Sequence, residues 1–103
     1  MDIETIQTGA QVRIVLQGIV DEKGADELKK QASQLKFDAV QEVVIDCREV
    51  RHIGSSGIGK MLLLYKKLAS KGGTFSVVNL QGPMFELFTE LKLDTLFSIT
   101  RAS

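Results

Sequence analysis

A single cysteine rules out an internal disulfide and a thiolate metal cluster in this chain of 103 residues. Nor does the chain start with a charged segment leading into an apolar one, so a reducing cytoplasm is the expected compartment. Long apolar runs are missing: no window reaches the roughly 20 residues that a membrane-spanning helix needs, and membrane insertion is not expected. Neither sign of charge dominates. With 13 basic and 13 acidic residues the formal net charge is zero, and like charges never run to a block of five. The electrostatic footprint of a nucleic-acid or membrane-surface binder is therefore absent. Low-complexity tracts, internal repeats and Pro/Gly-rich linkers are absent as well. What is present is the ordinary length of one domain, so residues 1–103 are expected to fold around one modest core and to meet proteins rather than polyanions.

Val12, Ile14 and Leu16 alternate with Arg13, Val15 and Gln17, the period-two pattern of a half-buried strand. A weaker strand precedes it at Ile3 to Gln7, and Thr8-Gly9-Ala10 supplies a glycine for a tight connection. The two segments are expected to pair as an antiparallel hairpin at a sheet edge, with Gly18 ending the second. Beyond Asp21, residues Ala25, Leu28, Ala32 and Leu35 fall on one helical stripe, leaving Asp26, Glu27, Lys29 and Lys30 for solvent. Asp21 and Glu22 suit the start of that helix as a cap or as charge complements to its dipole.

The continuous apolar run Val43 to Cys47 reads as a central strand. A second helical stripe follows, Ile58, Met61, Leu62, Tyr65, Leu68 and Ala69, closed at Lys71-Gly72-Gly73 by a cation and a C-cap glycine. Phe75, Val77 and Val78 form the next strand. Pro83 then opens a helix with Met84, Leu87, Phe88 and Leu91 as its buried face, and Phe97 to Ile99 make a last short strand. This alternation implies an α/β fold: a mixed β-sheet with parallel central strands, an N-terminal antiparallel hairpin and about three to four helices.

Between the central strand and the second helix lies Gly54-Ser55-Ser56-Gly57-Ile58-Gly59, set off from the strand by Arg48 to Ile53. Two hydroxyls stand at a helix start, where unpaired N–H groups and the macrodipole favour negative charge. Ser55 or Ser56 can cap the helix, bind an anion or carry one covalently. Capping contributes about 1 kcal/mol and occurs in proteins of every function, and the three glycines also serve a tight turn.

Gly54, Gly59 and Lys60 reproduce the phosphate-binding spacing G-x-x-x-x-G-K. Met61 stands where that loop needs a hydroxyl for Mg²⁺, and no second acidic strand end is evident. A serine nucleophile beside His52 fails on spacing: Ser56 has Gly54 before it but Ile58 after it, and nothing evident orients the histidine. Cys47 reads as a small buried hydrophobe. Asp46 reads as a strand-end carboxylate without the companions of a metal site, and the Met84, Phe85, Leu87 and Phe88 group as core. Neither an enzyme nor a cofactor is expected.

Several of these segments together resemble the STAS domain family, the fold of bacterial anti-sigma factor antagonists and of the cytoplasmic tails of sulfate transporters. They are Leu16-Gly18-Val20-Asp21 with Ala25 and Leu28, the strand Val43-Val44-Ile45-Asp46, the turn from Ile53 to Gly59, and Phe75-Ser76-Val77-Val78-Asn79 before Pro83. In antagonists of this family the turn reads Asp-Ser-Ser-Gly or Asp-Thr-Ser-Gly, and its first hydroxyl is phosphorylated by an anti-sigma factor that is also a serine kinase. Ser55 matches that residue, and Ser56 and Gly57 match the next two.

The resemblance implies a partner switch: the unphosphorylated protein binds the kinase and frees a sigma factor, and phosphorylation at Ser55 reverses the binding. It implies Asp21, Gly54, Ser55, Ser56, Gly57 and Ile58 as the partner-binding set. The implied partners are an anti-sigma factor serine kinase and a serine phosphatase, with no cofactor. Gly54 departs from the pattern, standing where the family has aspartate and removing a local negative charge. That departure supports an alternative, a STAS docking module of a transporter, stressosome or lipid-transport complex that works without phosphorylation.

Overall fold

Alternating side chains near the N-terminus build a hairpin in which β1 (Asp2–Thr8) and β2 (Gln11–Val20) pair antiparallel across Gly9 and Ala10. Gly9 takes φ +60°, the left-handed conformation that the first position of such a short loop demands. The computed structural model describes residues 1–103. After the hairpin, β3 (Glu42–Ile53), β4 (Thr74–Leu80) and β5 (Ser98–Arg101) each join in parallel, giving one five-stranded sheet whose order is the chain order. The connections carry α1 (Glu22–Ser33), α2 (Ser55–Ala69) and α3 (Gly82–Glu90). Single 3-10 turns lie at Phe37–Ala39 and Leu93–Thr95. The mixed sheet, the antiparallel hairpin and three α-helices agree with the fold expected from the sequence.

The core lies on one face of the sheet. Val12, Ile14 and Leu16 of β2 and Val43, Ile45 and Cys47 of β3 are fully buried in one cluster with Leu28, Met61, Leu68 and Phe88 of the helices. Each such aliphatic or aromatic side chain contributes about 1.5–3 kcal/mol by leaving water. Arg13, Asp46 and Val78, on the alternate positions, stay partly exposed. Phe75 and Phe97 meet edge to face at 4.9 Å, with Tyr65 at 5.5 Å from Phe97, and close the β4–β5 end of the cluster.

Several boundaries differ from the sequence reading. Gly18 does not end β2; at φ +96° it sits within a stretch of shifted register, and the strand runs on to Val20. Arg48 to Ile53 are not a linker but the second half of β3. Two irregularities explain why they were not legible as strand. Between the pairs Val15↔Asp46 and Gln17↔Glu49, β3 advances one residue more than β2, and it does so again between Gly18↔Val50 and Ile19↔His52. Each bulge flips the pleat, so Cys47, Val50 and Ile53 are buried at intervals of three rather than two.

On α2 the buried line is Gly57, Met61, Leu64 and Leu68; Ile58, Leu62 and Tyr65 flank it and Ala69 is exposed. Gly57 occupies the closest approach without offering an apolar side chain, which rotates the stripe away from its expected centre. Leu91 lies beyond α3 and is 51% exposed, and Leu35 lies beyond the end of α1. Lys71 does not cap α2. Its Nζ donates instead to the carbonyls of Phe37 and Val40, tying the 3-10 turn to the end of α2. The helix closes through Gly72 at φ +78° and the Gly73 N–H, which donates to Leu68 O at 2.8 Å.

Candidate functional site

Two parallel strands end side by side and each turns directly into a helix. Val20 pairs with Ile53 at the carboxyl ends of β2 and β3, and the Gly54 N–H donates to Val20 O at 2.9 Å. Asp21 then caps α1, its Oδ1 accepting from the Gly24 N–H at 2.9 Å. Gly54 occupies the same place for α2, extended at φ −78° and ψ 174°, but has no side chain with which to cap. Both helix starts therefore share one rim at the carboxyl edge of a parallel sheet, the edge where ligands of open α/β folds gather.

Ser55 and Ser56 are the first two helical residues rather than a loop ahead of the helix, and both are exposed. Neither caps the helix, contrary to the structural role considered for them. The first intrahelical bond runs from the Ile58 N–H to Gly54 O at 3.1 Å. The N–H groups of Ser55, Ser56 and Gly57 consequently have no partner within the helix, and the positive end of its dipole is uncovered by any acidic residue in the first turn. Gly57 is buried: a Cβ built there would lie 2.8 Å from Val20 Cγ1 and 2.9 Å from Ile53 Cγ2. Only glycine lets the first turn press onto the strand ends. Ile58 is half-buried and packs against the core.

The fold thus gathers all six expected site residues at one rim. Asp21, Gly54, Ser55 and Ser56 present surface, whereas Gly57 and Ile58 fix the helix beneath them. Sequence reasoning missed the neighbours. Glu22 and Asp26 of α1 form a shallow cleft with Ser56, Gly59 and Lys60 of α2, so carboxylates and one cation flank Ser56. Lys60 follows Ser56 by four residues and shares its helix face, a signal present in the sequence. The approach of α1 to α2 was not, because nothing local encodes which helices meet.

Other candidates separate from this rim. Gly59 and Lys60 sit in the second turn of α2, so no glycine loop exists to wrap a nucleotide phosphate. His52 is exposed on β3. Asp46 lies within β3 rather than at its end: its carboxylate accepts from Arg13 Nη2 at 2.7 Å, from Asn79 Nδ2 at 3.1 Å and from the Arg48 N–H at 3.1 Å. Burial pushes this carboxyl up, but those hydrogen bonds and the Arg13 charge outweigh it and hold it below the ordinary carboxylate range. Burial, with the Asp46 charge adding, pushes the Cys47 thiol up to about 12. No three His, Cys, Asp or Glu residues converge as a metal site. No helix is long and apolar enough to cross a membrane.

A family model described as Mlab, STAS domain matches residues 3–99. Among solved structures, the phosphorylated form of SpoIIAA, the Bacillus cell fate determinant, superposes with a TM-score of 0.78 at 21% identity, over 95% of this chain and 90% of that one. The unphosphorylated form of the anti-sigma factor antagonist SpoIIAA gives 0.74 at 20% identity, over 92% and 97%. An anti-sigma factor antagonist from Mycobacterium paratuberculosis gives 0.83 at 24% identity, over 96% and 84%. At these identities the likeness is one of fold.

Proposed function

The chain belongs to the STAS domain family, and from that premise we propose that it is an anti-sigma factor antagonist switched by phosphorylation at Ser55. In the unphosphorylated state it binds an anti-sigma factor serine kinase over the rim formed by Asp21, Gly54, Ser55 and Ser56, and so releases a sigma factor. A serine phosphatase resets it. STAS domains are regulatory modules rather than catalysts, so the chemistry belongs to the partner.

One observation carries the reading. Ser55 stands exposed at the first position of α2, above three backbone N–H groups that no helical carbonyl uses. A phosphate there brings about 1.5–2 negative charges to a helix end already polarised to receive them, so the fold tolerates it at little cost. A partner packed on the neutral hydroxyl meets the same group as an unpaired, desolvated charge, which costs a few kcal/mol. That both forms of SpoIIAA adopt this fold supports a switch without refolding. Incubation with the cognate kinase and ATP tests it: intact-mass analysis should show one phosphate on Ser55, absent in Ser55→Ala, and modification confined to other residues would overturn the assignment.

Gly54 favours a second reading, in which the same rim is a docking surface of a transporter, stressosome or lipid-transport complex and carries no phosphate. Without a carboxylate at the cap or in its first turn, α2 itself lacks the negative charge that the antagonist pattern has there. Affinity capture from native lysate separates the two, a small ATP-binding kinase supporting the first and membrane ATPase subunits the second.

A further inference from the structure

Leu63 is the most exposed large hydrophobic residue of the molecule, at 54%, and it stands beside a cleft. Leu28 and Ala32 of α1, Leu64 of α2 and Phe37 of the following 3-10 turn line this cleft, and its wall is almost wholly apolar. Three lysines rim it, Lys29, Lys60 and Lys67. The molecule's ion pairs are Arg13–Asp46 and Arg101–Glu86, so none of the three has an acidic partner. Lys67 is held at the cleft wall, with its ammonium 5.1 Å from the Phe37 ring centroid.

We propose that this cleft between α1 and α2 docks an amphipathic acidic helix of a partner protein, its aliphatic anchors entering the cleft and its carboxylates meeting Lys29, Lys60 and Lys67. The size decides the kind of occupant. A cleft of about 220 Å³ is smaller than the roughly 300–1,000 Å³ that encloses a drug-sized ligand, but it accommodates one or two apolar side chains presented from outside. A helix offers such anchors at i, i+3 or i+4 and i+7 with its own backbone satisfied, and the cleft has no sheet edge to which an extended peptide could add. The charge decides the sign: three unpaired cations around a desolvated centre reward carboxylates and repel a basic helix.

Lys60 and Leu63 line both this cleft and the one that contains Ser56, so the docking surface is continuous with the phosphorylation rim. It extends the partner-binding reading above without depending on phosphorylation. The acidic residues Glu22 and Asp26 lie at the Ser56 end. A bound helix is therefore oriented with its positive N-terminus toward them and its acidic, C-terminal half toward Lys29 and Lys67.

Fluorescence anisotropy with the intact chain tests this without any kinase. The probe is a labelled helical peptide with leucines at i, i+4 and i+7 and glutamates on the flanks, compared with its glutamate-to-lysine counterpart. The acidic peptide should bind at least about tenfold tighter than the basic one and weaken with added salt. Leu63→Ser, and Lys29→Glu with Lys67→Glu, should each raise its Kd by about tenfold or more. All three side chains are exposed, so the variants keep the fold. Equal binding of both peptides, or no binding of the acidic one, would overturn the proposal. So would dodecanoate occupying the cleft while the peptide does not, or a dimer of this chain that Leu63→Ser dissociates. Failure of phosphorylation at Ser55 leaves this measurement untouched, so the two readings fail separately.

Discussion

At Gly54 the backbone is extended, a conformation open to any residue, and a Cβ there would meet nothing closer than Val20 O at 3.5 Å. Aspartate therefore fits, and its carboxylate can accept from the free N–H groups of the first turn. Gly54→Asp should stabilise the protein by about 0.5 kcal/mol and raise the thermal midpoint by a few degrees, measurable by calorimetry.

Asp46 carries a pH dependence of determinate sign. Because its folded pKa is lowered, its contribution is present above the unfolded value of about 3.9 and is lost as pH falls through the folded one. Urea unfolding should show Asp46→Asn costing about 1–2 kcal/mol at pH 7 and progressively less toward pH 2. Cys47, fully buried and with its pKa raised to about 12, should react with a thiol reagent at pH 8 only as fast as the protein unfolds. Immediate stoichiometric labelling would contradict its burial.

The two glycines of the first turns of α2 separate a packing role from a permissive one. Gly57→Ala forces a methyl to within 3 Å of Val20 and Ile53 side chains, and should destabilise by about 1–3 kcal/mol by lifting the helix start. Gly59→Ala places its methyl in open space and should stabilise by about 0.5–1 kcal/mol through helix propensity. Denaturant midpoints of the two variants should move in opposite directions.

Local pattern explains what was legible among the elements. The hairpin and α1 keep strict periods and a recognisable cap at Asp21, so they could be read from residues alone. The second half of β3 could not, since its bulges replace alternation by three-residue spacing, and the site then looked like a loop between distant elements. In fact α2 starts two residues after β3 ends. The proposed rim could be named from the sequence because Ser55 and its neighbours are contiguous. The facing carboxylates of α1 were not, because they arrive through tertiary packing.

For the molecule as a whole, phosphorylation is proposed to change a surface and not a fold. Both helix starts, the sheet edge beneath them and the α1–α2 cleft belong to one body around a shared core cluster. A charge-mimicking Ser55→Asp should leave the far-UV spectrum and the melting midpoint within a few degrees of the unmodified protein. Partner affinity is where the effect should appear. The most direct measurement is calorimetric titration of the cognate kinase with unmodified protein and with protein fully phosphorylated at Ser55. The account requires the phosphorylated form to bind about a hundredfold more weakly, or not at all, with its fold intact. Equal affinity of the two forms would contradict it.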